Sequence, residues 1–371
     1  MKRHHSSDTI ASILDSASKG RSLTDEDCLS LLDLADTELV EALFKTARDL
    51  RNRYFGNRVF LYGFVYTSTF CRNDCRFCFY RRSNKVALRY RKTSDEIVEA
   101  SLKLADSGVH LIDLTTGEDP RNFADNQCGF DEFLALISKV KKYTGLPIMV
   151  SPGVVPDAIL AELASAGADW YACYQETHNQ VLFKKVRVGQ NFGERFEKKR
   201  LAHRLGMLIE EGILCGIGES NRDVADSIRA MRFLGADQTR VMNFVPQRGT
   251  PMEDWVSPDH LRERVITAVM RLAFPDRLIP ASLDVEGLEG LLPWLDAGAN
   301  VVTSLIPPEK GLAGVAQNSL DIEDGRRMAA SVREVLQKRG LEAASLEEYV
   351  AWINARKRAL RQDGEGKVAA C

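Results

Sequence analysis

Hydrophobic positions along this chain follow two rhythms. From residue 58 onward, apolar runs of four to eight residues alternate with longer stretches whose apolar residues recur every three or four positions. Continuous short runs are what strands buried on both faces look like, and the longer spacing is that of an amphipathic helix. Strands are expected at 59–66, 109–114, 147–150, 170–174, 207–214, 239–244, 278–283 and 301–304. Helices are expected between them at 94–107, 130–143, 157–166, 194–205, 221–233, 258–273 and 286–296, with 320–338 as the last. Ahead of this alternation, Leu29, Leu32, Leu39, Leu43 and Leu50 give residues 22–56 a helical apolar face, and Asp25 and Asp36 stand where caps belong. Residues 1–20 show no apolar core and are expected to be polar and mobile, and 345–361 read as one more helix followed by a frayed tail.

Eight strands alternating with helices predict an α/β protein of the (β/α)8 TIM-barrel class, with an open parallel sheet as the alternative. The expected organisation is an N-terminal helical extension over 1–57, the barrel over 58–340, and a C-terminal helix and tail over 341–371.

Composition changes this picture little. The 371 residues are 44% hydrophobic and 27% charged, with a formal net charge of −2, as in ordinary globular domains. No dense basic patch stands out, so neither a nucleic-acid nor a membrane partner is expected. No run approaches the roughly 18 apolar residues of a membrane span, and the first twenty residues lack a signal-peptide pattern, so a cytoplasmic location is expected.

The cysteines matter more. Of eight, Cys71, Cys75 and Cys78 share one short loop after the first strand, while Cys28, Cys128, Cys173, Cys215 and Cys371 are scattered. In a reducing compartment such a group reads as a metal site rather than a disulfide framework. Three thiolates can hold three corners of a [4Fe-4S] cluster and leave one iron open. A structural zinc ion is the alternative, but it needs a fourth ligand, and His110 and Cys128 lie far along the chain. Phe77, beside the last cysteine, is placed either to pack on an adenine or simply to fill the loop.

With its barrel context, this motif resembles the radical S-adenosylmethionine superfamily. YQET at 174–177 and GILCGIGE at 212–219 resemble its biotin synthase-like branch. Within that branch the chain is similar to the methylornithine synthases of pyrrolysine biosynthesis. RYFGNRVF at 53–60, DLTTGEDP at 113–120, LFKKVRVGQ at 182–190 and RLIPASLDVEG at 277–287 carry the likeness, which runs from about residue 22 to 340. The resemblance implies one [4Fe-4S] cluster, S-adenosyl-L-methionine as second cofactor, and a reducing protein such as ferredoxin or flavodoxin. It implies a radical mutase (an isomerase) converting L-lysine to (3R)-3-methyl-D-ornithine by fragmentation and recombination of the carbon skeleton, the first step of pyrrolysine biosynthesis. No protein side chain is expected to act as a catalytic acid or base.

The resemblance assigns Glu118, Ser151, Glu176 and Arg195 to S-adenosylmethionine, and Asp113, Arg240, Ser282 and Asp284 to the substrate; Phe77 is a candidate to pack on the cofactor's adenine, and Gly216 and Gly218 would let backbone approach it. Polar residues at strand ends of a barrel are independently suspect. A strand-borne charge is costly unless paired, so a structural Arg240–Asp ion pair is the competing explanation for that set. Without the family match, Arg195 reads as a solvated helix residue and Gly216 and Gly218 as a strand-end turn. Cys173 and Cys215 are read as core residues or, less simply, as part of a second cluster. His178 and His203 are read as structural. Two other functions stay open: another enzyme of the same branch, such as a hydrogenase-cofactor maturase or a sulfur-inserting synthase, and a non-catalytic iron–sulfur or zinc scaffold.

Overall fold

The computed structural model describes residues 6–124, 128–308 and 327–368. Eight parallel strands form its centre: β1 (Arg58–Ser68), β2 (Leu111–Thr116), β3 (Ile148–Ser151), β4 (Trp170–Ala172), β5 (Leu208–Cys215), β6 (Gln238–Asn243), β7 (Pro280–Ser282) and β8 (Val301–Leu305). Neighbours follow chain order from β1 to β6, and β8 and β7 continue from the other edge of β1. The ring closes between β6 and β7 at the strand starts, where Thr239 donates to the Leu278 carbonyl at 3.0 Å and Leu278 to that of Asp237 at 3.1 Å. This is a (β/α)8 barrel.

Helices cover the outside. Three precede β1: α1 (Ser7–Ser18), α2 (Asp25–Leu32) and α3 (Thr37–Phe55). Within the barrel run α4 (Ser94–Asp106), α5 (Cys128–Thr144), α6 (Asp157–Ser165), α7 (Gln180–Val186), α8 (Phe192–Arg204), α9 (Asn221–Leu234), α10 (His260–Ala273), α11 (Leu291–Asp296) and α12 (Ala329–Gln337). A two-residue strand, β9 (Glu342–Ala343), pairs with the start of β1 and delivers α13 (Leu346–Val368) to the barrel's N-terminal end.

Several expectations are revised. Part of the supposedly mobile N-terminus is helical: Ser6 caps α1, and Ile10, Ile13, Leu14 and Ala17 are buried. Their i, i+3, i+4, i+7 spacing makes a narrow apolar stripe that a polar average hides. Residues 22–56 form two helices: Asp36 caps the second as expected, whereas Thr24, rather than Asp25, caps the first. The helix expected at 286–296 shrinks to Leu291–Asp296, and α7 and the 3-10 turn Pro120–Phe123 were not anticipated. The part of the expected helix at 320–326 lies outside the described residues, as does Cys371.

Packing explains why α13 matters. Tyr349 is fully buried, and its hydroxyl bonds that of Tyr62 at 2.7 Å. Trp352 stacks on Trp170 with ring centroids 6.0 Å apart. Arg356 pairs with buried Asp237 at 2.9 Å and Lys357 with Asp169 at 2.7 Å. The helix therefore plugs the end of the barrel opposite the strand C-termini.

Candidate active site

The C-terminal strand ends open onto a cavity of about 320 Å³. Its first wall is the loop after β1. Arg89 folds that loop back on itself through the carbonyls of Tyr80 at 2.9 Å and Arg81 at 2.6 Å. Cys71, Cys75 and Cys78 face the cavity. The Asn73 amide reaches Cys71 Sγ at 3.5 Å, and Gln190 Nε2 reaches Cys75 Sγ at 3.0 Å. Burial, then the mutual presence of Cys75 and Cys71, pushes the Cys78 thiol well above its usual range. Three thiols gathered on one loop can share a cationic centre that keeps them deprotonated. Among the described residues no three His, Cys, Asp or Glu side chains converge as a site for one metal ion. Three cysteines on one loop are the donor set of a cluster with one open corner, whereas structural zinc takes four ligands.

The second wall carries the residues assigned to S-adenosylmethionine. Gly117 lies against the cysteine loop: a Cβ there would sit 2.9 Å from both Cys71 Cβ and the Phe70 carbonyl, so only glycine permits the approach. Glu118, 5% exposed, receives Arg72 Nε at 2.9 Å and the Val154 amide at 3.0 Å. Arg195 is buried rather than solvated; its Nε donates to the Tyr174 carbonyl at 2.7 Å and its Nη1 lies 3.6 Å from Glu118. Glu176 pairs with Arg187 at 2.6 Å and adopts φ +65°, left-handed for a residue with a side chain. Such a backbone costs about 1–3 kcal/mol and is retained where the surroundings impose it. Here they do, since the Glu176 amide donates to Gly212 and its carbonyl accepts from Leu214, extending the sheet past β4.

Three polar atoms on this wall lack partners: Ser151 Oγ, Glu176 Oε2 and Arg187 Nε are buried without a hydrogen bond. Orphans of this kind mark a place for a polar ligand. With the three thiols, they make the donor set fit a cluster and a charged, ribose-bearing cofactor. Phe77 lines the cavity beneath Arg187, 5.6 Å from ring centroid to guanidinium carbon.

Gly216 and Gly218 do not line the cavity. The Gly216 amide is taken by Glu219, and a Cβ would meet the Pro258 ring at 2.5 Å. These contacts make Gly216 part of a strand-end turn.

The third wall holds Asp113, Arg240, Ser282 and Asp284, all cavity-lining. The expected alternative, an Arg240–Asp pair, is not what forms. Arg240 Nε donates to Glu210 at 2.8 Å, and Glu210 also accepts from Gln238 at 2.7 Å and the Tyr174 hydroxyl at 2.5 Å. Burial disfavours the Arg240 charge, but Glu210 and the other acids outweigh it and hold the guanidinium above its ordinary value. Burial first, then Glu210, pushes the Asp113 carboxyl up to about 7. Asp284 accepts from Ser282 at 2.9 Å, Ser304 at 2.7 Å and Arg327 at 2.7 Å.

Glu210, Ser304, Arg187 and Arg327 were missed in the sequence. Glu210 sits in the run Glu210-Glu211, where one could not tell an inward acid from an outward one. Ser304, at φ +66°, left no signal at all. Of the other cysteines, Cys215 is buried and donates to Asn243 Oδ1 at 3.2 Å, and Cys173 is buried at the cavity wall. His203 bonds Asp237 at 2.8 Å, and His178 is enclosed by Phe192 and Phe196.

Comparison with known proteins agrees with this geometry. The radical SAM superfamily profile matches residues 65–231. A 3-methylornithine synthase of Methanosarcina acetivorans is 44% identical over 89% of this chain and 93% of its own length. A [FeFe] hydrogenase maturase subunit HydE of Thermotoga maritima is 30% identical over 76% of this chain and 80% of its own. The crystal structure of a methylornithine synthase superposes with a TM-score of 0.87 at 43% identity, over 92% of this chain and 99% of that one. No described helix is long and apolar enough to cross a membrane. From the cysteine loop to the acid-lined third wall, and across nine-tenths of its length, the chain belongs to the 3-methylornithine synthase family of the radical SAM superfamily.

Proposed function

We propose that the protein isomerises L-lysine to (3R)-3-methyl-D-ornithine as the first step of pyrrolysine biosynthesis, drawing electrons from a ferredoxin or flavodoxin. The observation that carries this reading is one cavity joining three thiols to a fixed arginine and two aspartates. Bound there, the [4Fe-4S] cluster and S-adenosyl-L-methionine supply a deoxyadenosyl radical able to take hydrogen from an unactivated carbon. Cys71, Cys75 and Cys78 would hold the cluster. Glu118, Ser151, Glu176 and Arg195, with Phe77, would hold the nucleoside and its methionyl end.

The chain's own contribution on the substrate side is positioning. Because Glu210 occupies Arg240 Nε, the terminal nitrogens are left for the lysine carboxylate in a two-pronged geometry. Asp113 and Asp284 receive the ammonium groups, and Ser282 orients Asp284. Fixing both ends of lysine decides which hydrogen faces the cofactor, and orientation of this kind is a large share of catalysis. The wall residues exclude water from the fragments. Neither a general acid nor a general base is required.

The test uses reduced enzyme, S-adenosylmethionine and uniformly carbon-13-labelled lysine without oxygen. An isomer of unchanged mass with a new methyl doublet is expected. A sulfur-containing product, or deoxyadenosine without a lysine isomer, would sink this reading.

A further inference from the structure

The chain's formal net charge is −2, yet residues 70–92 contain eight Arg or Lys and a single Asp. The expectation that no basic patch exists is thereby corrected: the charge is concentrated on the cysteine loop, where averaging over the chain conceals it. Side chains on this loop divide by direction. Cys71, Asn73, Cys75, Phe77 and Cys78 line the cavity, whereas Arg72, Arg76, Arg81 and Arg82 do not.

Some of this charge is matched locally, Arg72 by Glu118, Arg91 by Asp119, and Arg81 and Arg82 by Asp74. More is added by neighbours. The Arg76 amide bonds the Val186 carbonyl at 2.8 Å, which brings α7 with exposed Lys184 and Lys185 alongside. Asn84 bonds the Arg248 carbonyl at 2.9 Å, which brings exposed Arg248 beside exposed Lys85. None of these four has an acidic partner among the described residues.

A second feature coincides with the charge. Of the eleven large hydrophobic residues exposed in the described structure, six lie on the cysteine loop, on or just after α7, or on the loop after β6: Val86, Leu88, Val181, Val188, Trp255 and Val256. Scattered exposed apolar residues are ordinary, but a concentration rimmed by like charge is the composition of a protein interface.

We propose that this face docks a small acidic electron-carrier protein that reduces the cluster. The inference rests on the radical SAM reading, since only a buried redox centre requires an electron to be delivered here. In the step itself the carrier's reduced flavin or iron–sulfur centre loses one electron and the cluster gains one, with no bond made or broken. Basic residues steer the acidic partner and set its orientation, and the apolar residues fill the contact.

Two double variants test the surface: Lys184→Glu with Lys185→Glu, and Lys85→Glu with Arg248→Glu. Binding of oxidised flavodoxin and of oxidised ferredoxin is measured by calorimetry at low and at raised salt, independently of turnover. Wild type is expected to bind at least one carrier at low salt and to lose affinity as salt rises. Each double variant is expected to bind at least tenfold more weakly. Carrier-driven deoxyadenosine formation should fall in proportion, while dithionite-driven formation stays at the wild-type rate. Binding indifferent to charge reversal and to salt overturns the proposal. So does an equal fall in the dithionite-driven rate, which would mean damage to the site, or loss of a homodimer in the variants, which would make the face a self-contact. Absence of a lysine isomer with dithionite and wild-type enzyme would defeat the mutase reading while leaving the binding result to stand.

Discussion

At the level of single side chains, the cavity's guanidinium is held from behind. Glu210 takes Arg240 Nε, Gln238 and the Tyr174 hydroxyl together, so its carboxylate anchors the guanidinium from behind. Glu210→Gln would leave Arg240 buried beside a neutral partner. Loss of one member of a buried pair typically costs about 3–5 kcal/mol. A lower melting temperature is expected together with at least a tenfold higher KM for lysine, while cluster content by iron analysis stays unchanged. An unaltered KM would deny Glu210 this role. Asp113 adds a pH dependence. Its carboxyl titrates at about 7, so it is neutral below that and charged above. Only the charged form attracts an ammonium, so kcat/KM for lysine should rise between pH 6 and 8, and Asp113→Asn should flatten the rise. For stability the sign is opposite. The folded carboxyl titrates above its ordinary value of 3.8, so the folded state binds the extra proton. This contribution is full below about pH 4 and is lost as pH climbs through about 7. Sequence could propose Asp113 and Arg240 because charge inside a strand pattern is conspicuous. It could not propose Ser304, whose value lies in a backbone conformation, nor Arg327, which reaches Asp284 from 43 residues away.

At the scale of elements, the most informative pieces are those that were legible only in part. Strand β4 ends at Ala172, yet Glu176 rejoins the sheet through Gly212 and Leu214. Lys199 stabilises this excursion: it is fully buried, pairs with Glu211, and donates to the Cys173 carbonyl and Gln175 Oε1 at 3.0 Å each. A helix residue therefore fixes the loop that carries Glu176, an assigned cofactor ligand, a relation that no periodicity contains. Helix α13 shows the reverse. Its existence was readable at 345–361, but its destination was not, because a helix that buries Tyr349, Trp352 and Ile353 has the same pattern wherever it docks. Removing the buried ring by Tyr349→Ala should cost about 3–5 kcal/mol, seen as an earlier urea midpoint. Deoxyadenosine formed per folded molecule should be unchanged, because α13 closes the end of the barrel away from the thiols. A specific loss of activity at full stability would place α13 in the catalytic machinery instead.

For the whole molecule, closure is the property that function needs. A ring of eight strands gathers one polar residue from each of several strand ends into a single cavity, and it retains whatever forms inside. If lysine is cleaved and rejoined there, its two pieces should never exchange between molecules. With an equal mixture of uniformly carbon-13-labelled and unlabelled lysine, mass spectrometry should find products that are wholly labelled or wholly unlabelled. Mixed products would mean that the fragments escape, and the closed-cavity account would fail.

The sequence by itself determined the alternation of elements, the cysteine loop and the family likeness. These are local in origin: strand and helix periods are set by side-chain spacing over a dozen residues, and the loop's three thiols need no distant partner to be recognised. Only the tertiary structure decided that the N-terminus contributes a packed helix, that Arg240 pairs with Glu210 rather than with an aspartate, that Gly216 serves a turn, and that basic and apolar residues from three separate segments share one face. Each of these depends on which surfaces meet when the barrel closes. Burial and charge pairing are properties of that meeting, and a linear pattern records only the residues available for it.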